Sequence, residues 1–283
     1  AEQWLRSTLS SERAAKKNLR SRADLAAPDR RRIRRHAIMA ALDGWWQAQA
    51  EIPCVLLGTE GVGKTWAMLA WCLERLDRDN EPPLILVASA GDIDTMERDP
   101  ERLFERLLHQ ATGNAVDWQQ VKRWAEYAGN RRILLVIDGL NQNFGYDWNA
   151  FLQGFERLVF NETGIFALAL TCRPEYWERD LRSPQMLSGT DITAIRVEAF
   201  DDGELAAFLE LHGYRLEEFP KSLLTVLRVP RLSELAMDLR SRLPQMGEVT
   251  REMLYLAEWA HRRQVNTTAG TLEPSEIKDF AEK

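Results

Sequence analysis

The sequence predicts an α/β protein built on a parallel β-sheet, and two observations support this fold class. Short, continuously apolar segments alternate along the chain with segments of helical periodicity, a pattern typical of strands that helices cover on both faces. The stretch GTEGVGKT, residues 58 to 65, lies between the first of these strands and a helix. It matches the pattern G-x-x-x-x-G-K-[ST], which occurs between a strand and a helix in sheets of this kind.

Five strands are predicted, each from a segment rich in apolar residues. They are IPCVLL (52–57), PLILVAS (83–89), RILLVID (132–138), GIFALALT (164–171) and DITAIRVEAF (191–200). The intervening segments predict helices near residues 28–50, 64–76, 101–112, 117–128 and 151–160, the first of which begins close to Pro28. Beyond about residue 200 only helical patterns follow, so we expect a helical subdomain there.

The composition limits the kinds of molecule that the chain is expected to bind. The net charge of −6 and the pI near 5.5 argue against a chain that coats nucleic acid, so nucleic acid is not an expected partner of this module. No apolar run reaches the roughly 18 residues of a membrane helix, and we expect no membrane association. Three widely spaced cysteines are expected to be reduced thiols, which favours a cytoplasmic location. Because the chain opens on Ala1, we expect it to be part of a longer protein.

The GTEGVGKT stretch predicts a phosphate-binding loop. Its glycines let the backbone approach phosphates with N–H groups pointing inward, Lys64 supplies charge to the β- and γ-phosphates, and the Thr65 hydroxyl is a ligand for Mg²⁺. The other reading is a glycine-rich turn with an exposed lysine. The guanine-recognition pattern N-K-x-D is absent from the sequence, which favours ATP and ADP. The predicted nucleotide contacts are Gly58, Gly61, Val62, Gly63, Lys64, Thr65 and Trp66.

The third predicted strand ends on an acid, Asp138, which is followed by a glycine and then by the amides Asn141 and Gln142. An acid at this strand end is the natural second partner of Mg²⁺, through water, although an Asp-Gly pair also suits a simple turn. The amides stand where ATP-hydrolysing proteins usually carry a Glu. An amide can orient a water but cannot take its proton, so we predict slow turnover, with Gln142 orienting the water.

The fourth predicted strand is followed by Cys172, Arg173 and Pro174. An arginine at the carboxyl end of a parallel strand lies on the edge where ligands bind, and from there it can contact the γ-phosphate. The residues alone are equally compatible with an arginine that pairs with a surface acid.

The order of GTEGVGKT, LLVIDGLNQ, LALTCRP and IRVEAFDDGELAAFL resembles the STAND NTPases, signal-transducing ATPases that include the NACHT and NB-ARC families and many bacterial antiviral sensors. The resemblance spans about residues 30 to 240. It implies the sheet order 5-1-4-3-2 and a γ-phosphate contact for Arg173. Because VPRLSELA resembles the helical-domain motif of that family, it also implies an adenine contact for Pro230. A closed ADP form and an ATP form that assembles into homo-oligomers complete the implied behaviour.

This sequence departs from the family in the amides after Asp138 and in the absence of a recognisable winged-helix His motif. The expected organisation is a polar linker (1–27), a nucleotide-binding domain (28–200) and a helical subdomain (201–283) that is truncated before a winged helix. The leading hypothesis is a slowly hydrolysing ATP switch module of a sensor or defence protein, whose signal is sensed by domains outside this chain. The alternatives are a module with structural, unhydrolysed nucleotide and, third, an AAA-type remodelling ATPase.

Overall fold

The structure of the chain is a computed structural model, and it describes residues 33–48, 50–78, 83–112, 117–127, 132–161, 165–181, 192–238 and 250–255. The predicted linker, residues 1 to 27, lies outside these ranges. The chain divides into two compact units, Ala1–Glu198 and Ala199–Lys283. Their correspondence to functional domains stays a prediction.

The first unit is built on a five-stranded sheet in which every neighbouring pair of strands is parallel. The order across the sheet is β2-β3-β4-β1-β5, which confirms the expected 5-1-4-3-2 arrangement. Every residue of the three central strands is buried because both faces of the sheet are covered. The strands are β1 (Cys54–Leu57), β2 (Leu84–Ser89), β3 (Ile133–Asp138), β4 (Phe166–Cys172) and β5 (Thr193–Arg196).

The fifth strand is shorter than the segment 191–200 that the sequence predicts. It lies at an edge of the sheet beside β1, with Ala194 and Arg196 exposed and Ile195 buried. Its single neighbour β1 spans four residues, so the ladder pairs only Thr193 to Arg196 and the strand ends before the apolar pattern does.

Helices cover both faces of the sheet. The helices of the first unit are α1 (His36–Ala48), α2 (Lys64–Arg78), α3 (Pro100–Thr112), α4 (Trp118–Tyr127) and α5 (Trp148–Asn161). Single 3₁₀ turns follow two strands, Ala90–Asp92 after β2 and Leu140–Gln142 after β3. After β4 a short helical turn, Pro174–Tyr176, continues as a π-helix, Trp177–Leu181, which the sequence analysis does not predict.

Two hydrophobic cores lie on opposite faces of the sheet because successive strand side chains point in opposite directions. Val55 and Leu57 belong to the core that contains α3, α4 and α5, whereas Cys54 and Leu56 belong to the core that contains α1 and α2. The three cysteines of the chain are free and buried. Burial raises the pKa of the Cys54 and Cys172 thiols to about 12, which keeps both protonated at neutral pH.

Three tryptophans form the centre of the second core. Trp45, Trp46 and Trp71 are buried, with ring centroids 5.7–6.0 Å apart, so they are core side chains. Trp71 Nε1 donates to Asp43 Oδ1 at 2.7 Å, and Arg75 pairs with the same oxygen at 3.1 Å. This cluster fixes α2 against α1.

The second unit is helical in its described part, with α6 (Asp202–Leu211), α7 (Lys221–Leu227) and α8 (Pro230–Asp238). A capping box joins Asp201 and Glu204 at the start of α6. Arg228 donates through Nη1 to the Phe200 carbonyl at 3.1 Å and forms an ion pair with Asp202, which ties the end of α7 to the start of α6. No helix in the described ranges of either unit is long and apolar enough to span a membrane.

Replacement of Trp71 by Ala should lower the free energy of unfolding of the first unit by about 3–5 kcal/mol, because it removes a buried aromatic ring and leaves a cavity. Urea denaturation followed by far-UV circular dichroism measures the change. Met96→Ala, at a side chain that is 86% exposed, is the control and should stay within about 0.5 kcal/mol of the parent. Equal stability of the two variants would contradict the packing described for Trp71.

Candidate nucleotide-binding site

The ends of three adjacent strands bring the predicted site residues together. Gly58 directly follows β1, Asp138 ends β3, and Thr171 and Cys172 end β4, which lies between the other two strands. The register pairs Leu57 with Cys172, so β1 and β4 end level with one another. Carboxyl ends of parallel strands share one edge of the sheet, where ligands bind in open α/β folds.

The first position of the loop between β1 and α2 has room only for glycine. A Cβ on Gly58 would lie 2.3 Å from the Val197 carbonyl oxygen, a distance that no side chain tolerates. Gly63 has φ of 90°, in the left-handed region that favours glycine. Val62 is buried and anchors the loop, while Arg35 donates to the Val62 carbonyl at 2.9 Å and to the Glu198 carbonyl at 3.0 Å. The sequence analysis does not identify this arginine.

Lys64, the first residue of α2, is turned back onto its own loop. Its Nζ donates to the Gly58 carbonyl at 2.6 Å and to the Thr59 carbonyl at 2.8 Å. Burial lowers the pKa of Lys64 below its ordinary value, and the Arg173 charge adds to this, whereas the Asp138 carboxylate opposes it. The ammonium is therefore held by two carbonyl oxygens that a phosphate could replace.

Asp138 is the centre of a buried hydrogen-bond cluster. Its Oδ1 accepts from the Thr65 hydroxyl at 2.7 Å and from the Thr171 hydroxyl at 2.7 Å. The Thr171 oxygen in turn accepts from the Gly139 N–H at 2.8 Å. The structure thus brings together Thr65 and Asp138, the two predicted metal-site residues, and places them in direct contact.

Thr171 is a residue to which the sequence analysis assigns no role. The signal was present, because Thr171 is a polar side chain in an otherwise apolar strand, and it is only 1% exposed. A buried hydroxyl in such a place needs a partner, and its partner is Asp138. Thr171 therefore holds the carboxylate that faces Thr65.

Arg173 follows β4 and makes an ion pair with Glu60, at 2.7 Å between Nη2 and Oε2. Glu60 belongs to the phosphate-binding loop itself. The sequence left open whether this arginine faces a phosphate or a surface acid, and in this structure it faces an acid. The γ-phosphate role of Arg173 stays a prediction.

The amides after β3 lie in a tight turn. Gly139 has φ of 77°, and the Gln142 N–H donates to its carbonyl at 2.8 Å. The Gln142 side chain folds back over this glycine, so that a Cβ there would lie 2.6 Å from Nε2. Asn143 donates through Nδ2 to the carbonyls of Ala90 at 3.0 Å and Ile93 at 2.9 Å, which joins the segments after β3 and β2.

Two of the predicted nucleotide contacts, Trp66 and Pro230, lie outside this cluster. Trp66 is half-buried on α2, one residue beyond Thr65. Pro230 is the first residue of α8 in the second unit, the position that a proline favours on helix geometry alone. The nucleotide contact of Trp66 and the adenine contact of Pro230 stay predictions.

The fold is similar to that of the Walker-type ATPase PABY2304 of Pyrococcus abyssi, with 13% sequence identity and a TM-score of 0.53 over 84% of this chain and 77% of that one. This likeness establishes the fold, which is the α/β fold of P-loop NTPases with a parallel sheet. The Aeropyrum pernix ORC2 protein, in its ADPNP and ADP complexes, matches at a TM-score of 0.46 and 14% identity over 82% of this chain and 69% of that one.

The structure of Drosophila ORC bound to DNA matches at a TM-score of 0.45 and 18% identity over 78% of this chain and 58% of that one. Neither of these two weaker likenesses carries a conclusion about this chain. The expectation that the module does not bind nucleic acid stays a prediction. No protein-family model and no curated protein sequence matches the chain.

Replacement of Thr171 by Val should raise the Mg²⁺ concentration that supports half-maximal nucleotide binding about tenfold, because Asp138 loses the hydroxyl that positions it. A Mg²⁺ titration with a fluorescent ATP analogue measures the change, and urea denaturation measures stability separately. Thr171→Ser keeps the hydroxyl and is the matched control. A variant that loses stability but keeps the parental Mg²⁺ dependence would restrict Thr171 to a structural role.

Proposed function

We propose that the chain is the ATP-binding switch module of a STAND-type signal-transducing protein, with slow ATP hydrolysis and nucleotide-controlled self-association. One observation carries the nucleotide-binding part of this proposal. The glycine loop, Lys64, the Thr65–Asp138 contact and Arg173 all lie at the ends of three adjacent parallel strands. The resemblance of the motif order to the STAND family supports the finer assignment.

The residues present suit Mg·ATP. Thr65 and Asp138 offer hydroxyl and carboxylate oxygens, which are the ligands that a hard cation such as Mg²⁺ prefers, with Asp138 acting through water. Lys64 would exchange the Gly58 and Thr59 carbonyls for phosphate oxygens. The N-terminus of α2 points backbone N–H groups toward the same place. Bound Mg·ATP would supply the phosphoanhydride bond whose cleavage changes the state of the switch.

Slow hydrolysis follows from the absence of a nearby acid in the sequence after Asp138. The next acid along the chain is Asp147, and its Oδ1 accepts from the Ala150 N–H at 3.0 Å, which makes it the cap of α5. Asn141 and Gln142 remain between these two acids, and an amide orients a water without accepting its proton. Such a site suits a switch that hydrolyses ATP slowly better than an ATPase that must turn over steadily.

The switch itself would act through Arg173. Binding of the γ-phosphate would draw this arginine to the nucleotide, and loss of that phosphate would release it. By the STAND resemblance, the ADP form is closed and the ATP form assembles into a homo-oligomer, with Pro230 contacting adenine. The signal would be sensed by domains outside this chain.

A module with structural, unhydrolysed nucleotide is the second candidate. It is favoured by the Gln142 side chain, which folds back over Gly139 in this structure. A single-turnover assay with radiolabelled ATP over hours separates the two candidates, because the structural reading requires no phosphate release. An AAA-type remodelling ATPase shares the P-loop fold and is the third candidate; steady multiple-turnover hydrolysis would favour it.

Replacement of Lys64 by Ala should weaken binding of Mg·ATP about 10- to 100-fold, because the phosphates lose a charge-assisted hydrogen-bond donor. Isothermal titration calorimetry with a non-hydrolysable ATP analogue measures the affinity. Lys221→Ala, which removes the same charge from an exposed residue in the second unit, is the matched control. Unchanged binding by the Lys64 variant would refute the site.

Replacement of Gln142 by Glu should accelerate single-turnover hydrolysis at least tenfold, because it supplies the proton acceptor that the amide lacks. Phosphate release at saturating ATP is the readout. Gln153→Glu, at an exposed position on α5, makes the same chemical change away from the site and should have no effect. An unchanged rate in the Gln142 variant would mean that another residue, such as one from a neighbouring subunit, activates the attacking water.

A further inference from the structure

Glu60 is an acid inside a loop that has the geometry to hold phosphate. It is the third residue of GTEGVGKT, and a carboxylate there repels any phosphate that the loop binds. In this structure its charge is compensated by Arg173, which reaches Glu60 Oε2 from the end of β4 at 2.7 Å. The acid and its partner are 113 residues apart in the chain, so the pair exists only because β4 lies beside β1.

We propose that Glu60 determines how strongly the site distinguishes a nucleoside triphosphate from a diphosphate, by competing with the γ-phosphate for Arg173. The inference rests on the proposed function, because it requires that the loop bind nucleotide. Glu60 thereby has a specificity-determining role that nucleotide binding itself does not require.

The charges around the loop support this competition. Lys64 and Arg173 contribute two positive charges, and Asp138 and Glu60 contribute two negative ones. The charges of Asp138, Arg173 and Glu60 each influence the pKa of Lys64. The four groups are therefore balanced when no phosphate is present. A diphosphate engages Lys64 and leaves the Arg173–Glu60 pair intact. A terminal third phosphate needs Arg173 and adds charge beside Glu60, so only the triphosphate has to break the pair.

The exposure of the pair makes the exchange reversible. The side chains of Arg173 and Glu60 are 45% and 50% exposed, so the released Glu60 carboxylate can enter water without burial of an unpaired charge. An ion pair this exposed contributes modestly to stability, which sets the expected size of the effect at about two- to fivefold in affinity. Glu60 would thus shift the balance toward the diphosphate-bound state without preventing triphosphate binding.

The test compares dissociation constants for a non-hydrolysable ATP analogue and for ADP, both with Mg²⁺, in the full chain and in Glu60→Gln. The variant keeps the side-chain shape and removes the charge. We expect it to bind the ATP analogue about two- to fivefold more tightly relative to ADP than the parent does. Glu74→Gln is the matched control, because Glu74, on α2, makes an ion pair of the same 2.7 Å length with Arg34. Loss of that pair should leave the ratio of the two dissociation constants unchanged.

A second comparison isolates the role of Arg173. In an Arg173→Gln background the competition is absent, so the Glu60→Gln change should shift the ratio less than it does in the parent. An equal shift in both backgrounds would show that Glu60 acts by charge alone and would overturn the competition. An unchanged ratio in Glu60→Gln, or equal changes for both nucleotides, would overturn the inference while leaving the proposed function intact. Failure of the parent chain to bind either nucleotide would overturn both.

Discussion

The functional edge of this sheet depends on one buried carboxylate that accepts two hydroxyl hydrogens. Asp138 Oδ1 takes one from Thr65, at the start of α2, and one from Thr171, near the end of β4. These bonds join the ends of three strands, because β4 lies between β1 and β3. Because Asp138 is almost without access to water, its carboxylate oxygen needs hydrogen-bond donors from the protein. Every other part of the candidate site is arranged around this cluster.

Local pattern was sufficient to predict most of the fold. The buried strands read as unbroken apolar runs, and the glycine loop has a spacing that few other structures require, so both were found by inspection of neighbouring residues. The order of the strands came from a family resemblance. The π-helix Trp177–Leu181 and the early end of β5 were missed, since each depends on packing or edge position rather than on local periodicity. Propensity is a weak guide where tertiary contacts decide.

The site was predictable residue by residue but not as a set of contacts. Lys64, Thr65, Asp138 and Arg173 were identified from the sequence. Lys64 donates to carbonyls of its own loop, whereas the partners of the other three follow from strand order. Thr171 meets Asp138 across 33 positions and Glu60 meets Arg173 across 113, separations that no motif spans. The charges that result are balanced within the site itself. Within the loop, Lys64 donates to the Gly58 and Thr59 carbonyls, so these polar groups satisfy one another.

Asn143 gives the turn after β3 a mechanical connection to its neighbour. Because its amide nitrogen donates to the carbonyls of both Ala90 and Ile93, the segment that carries Gln142 is joined directly to the segment after β2. Displacement of the turn beside Asp138 therefore requires either the loss of both hydrogen bonds or a matching displacement of the segment after β2, which leads to the exposed Met96.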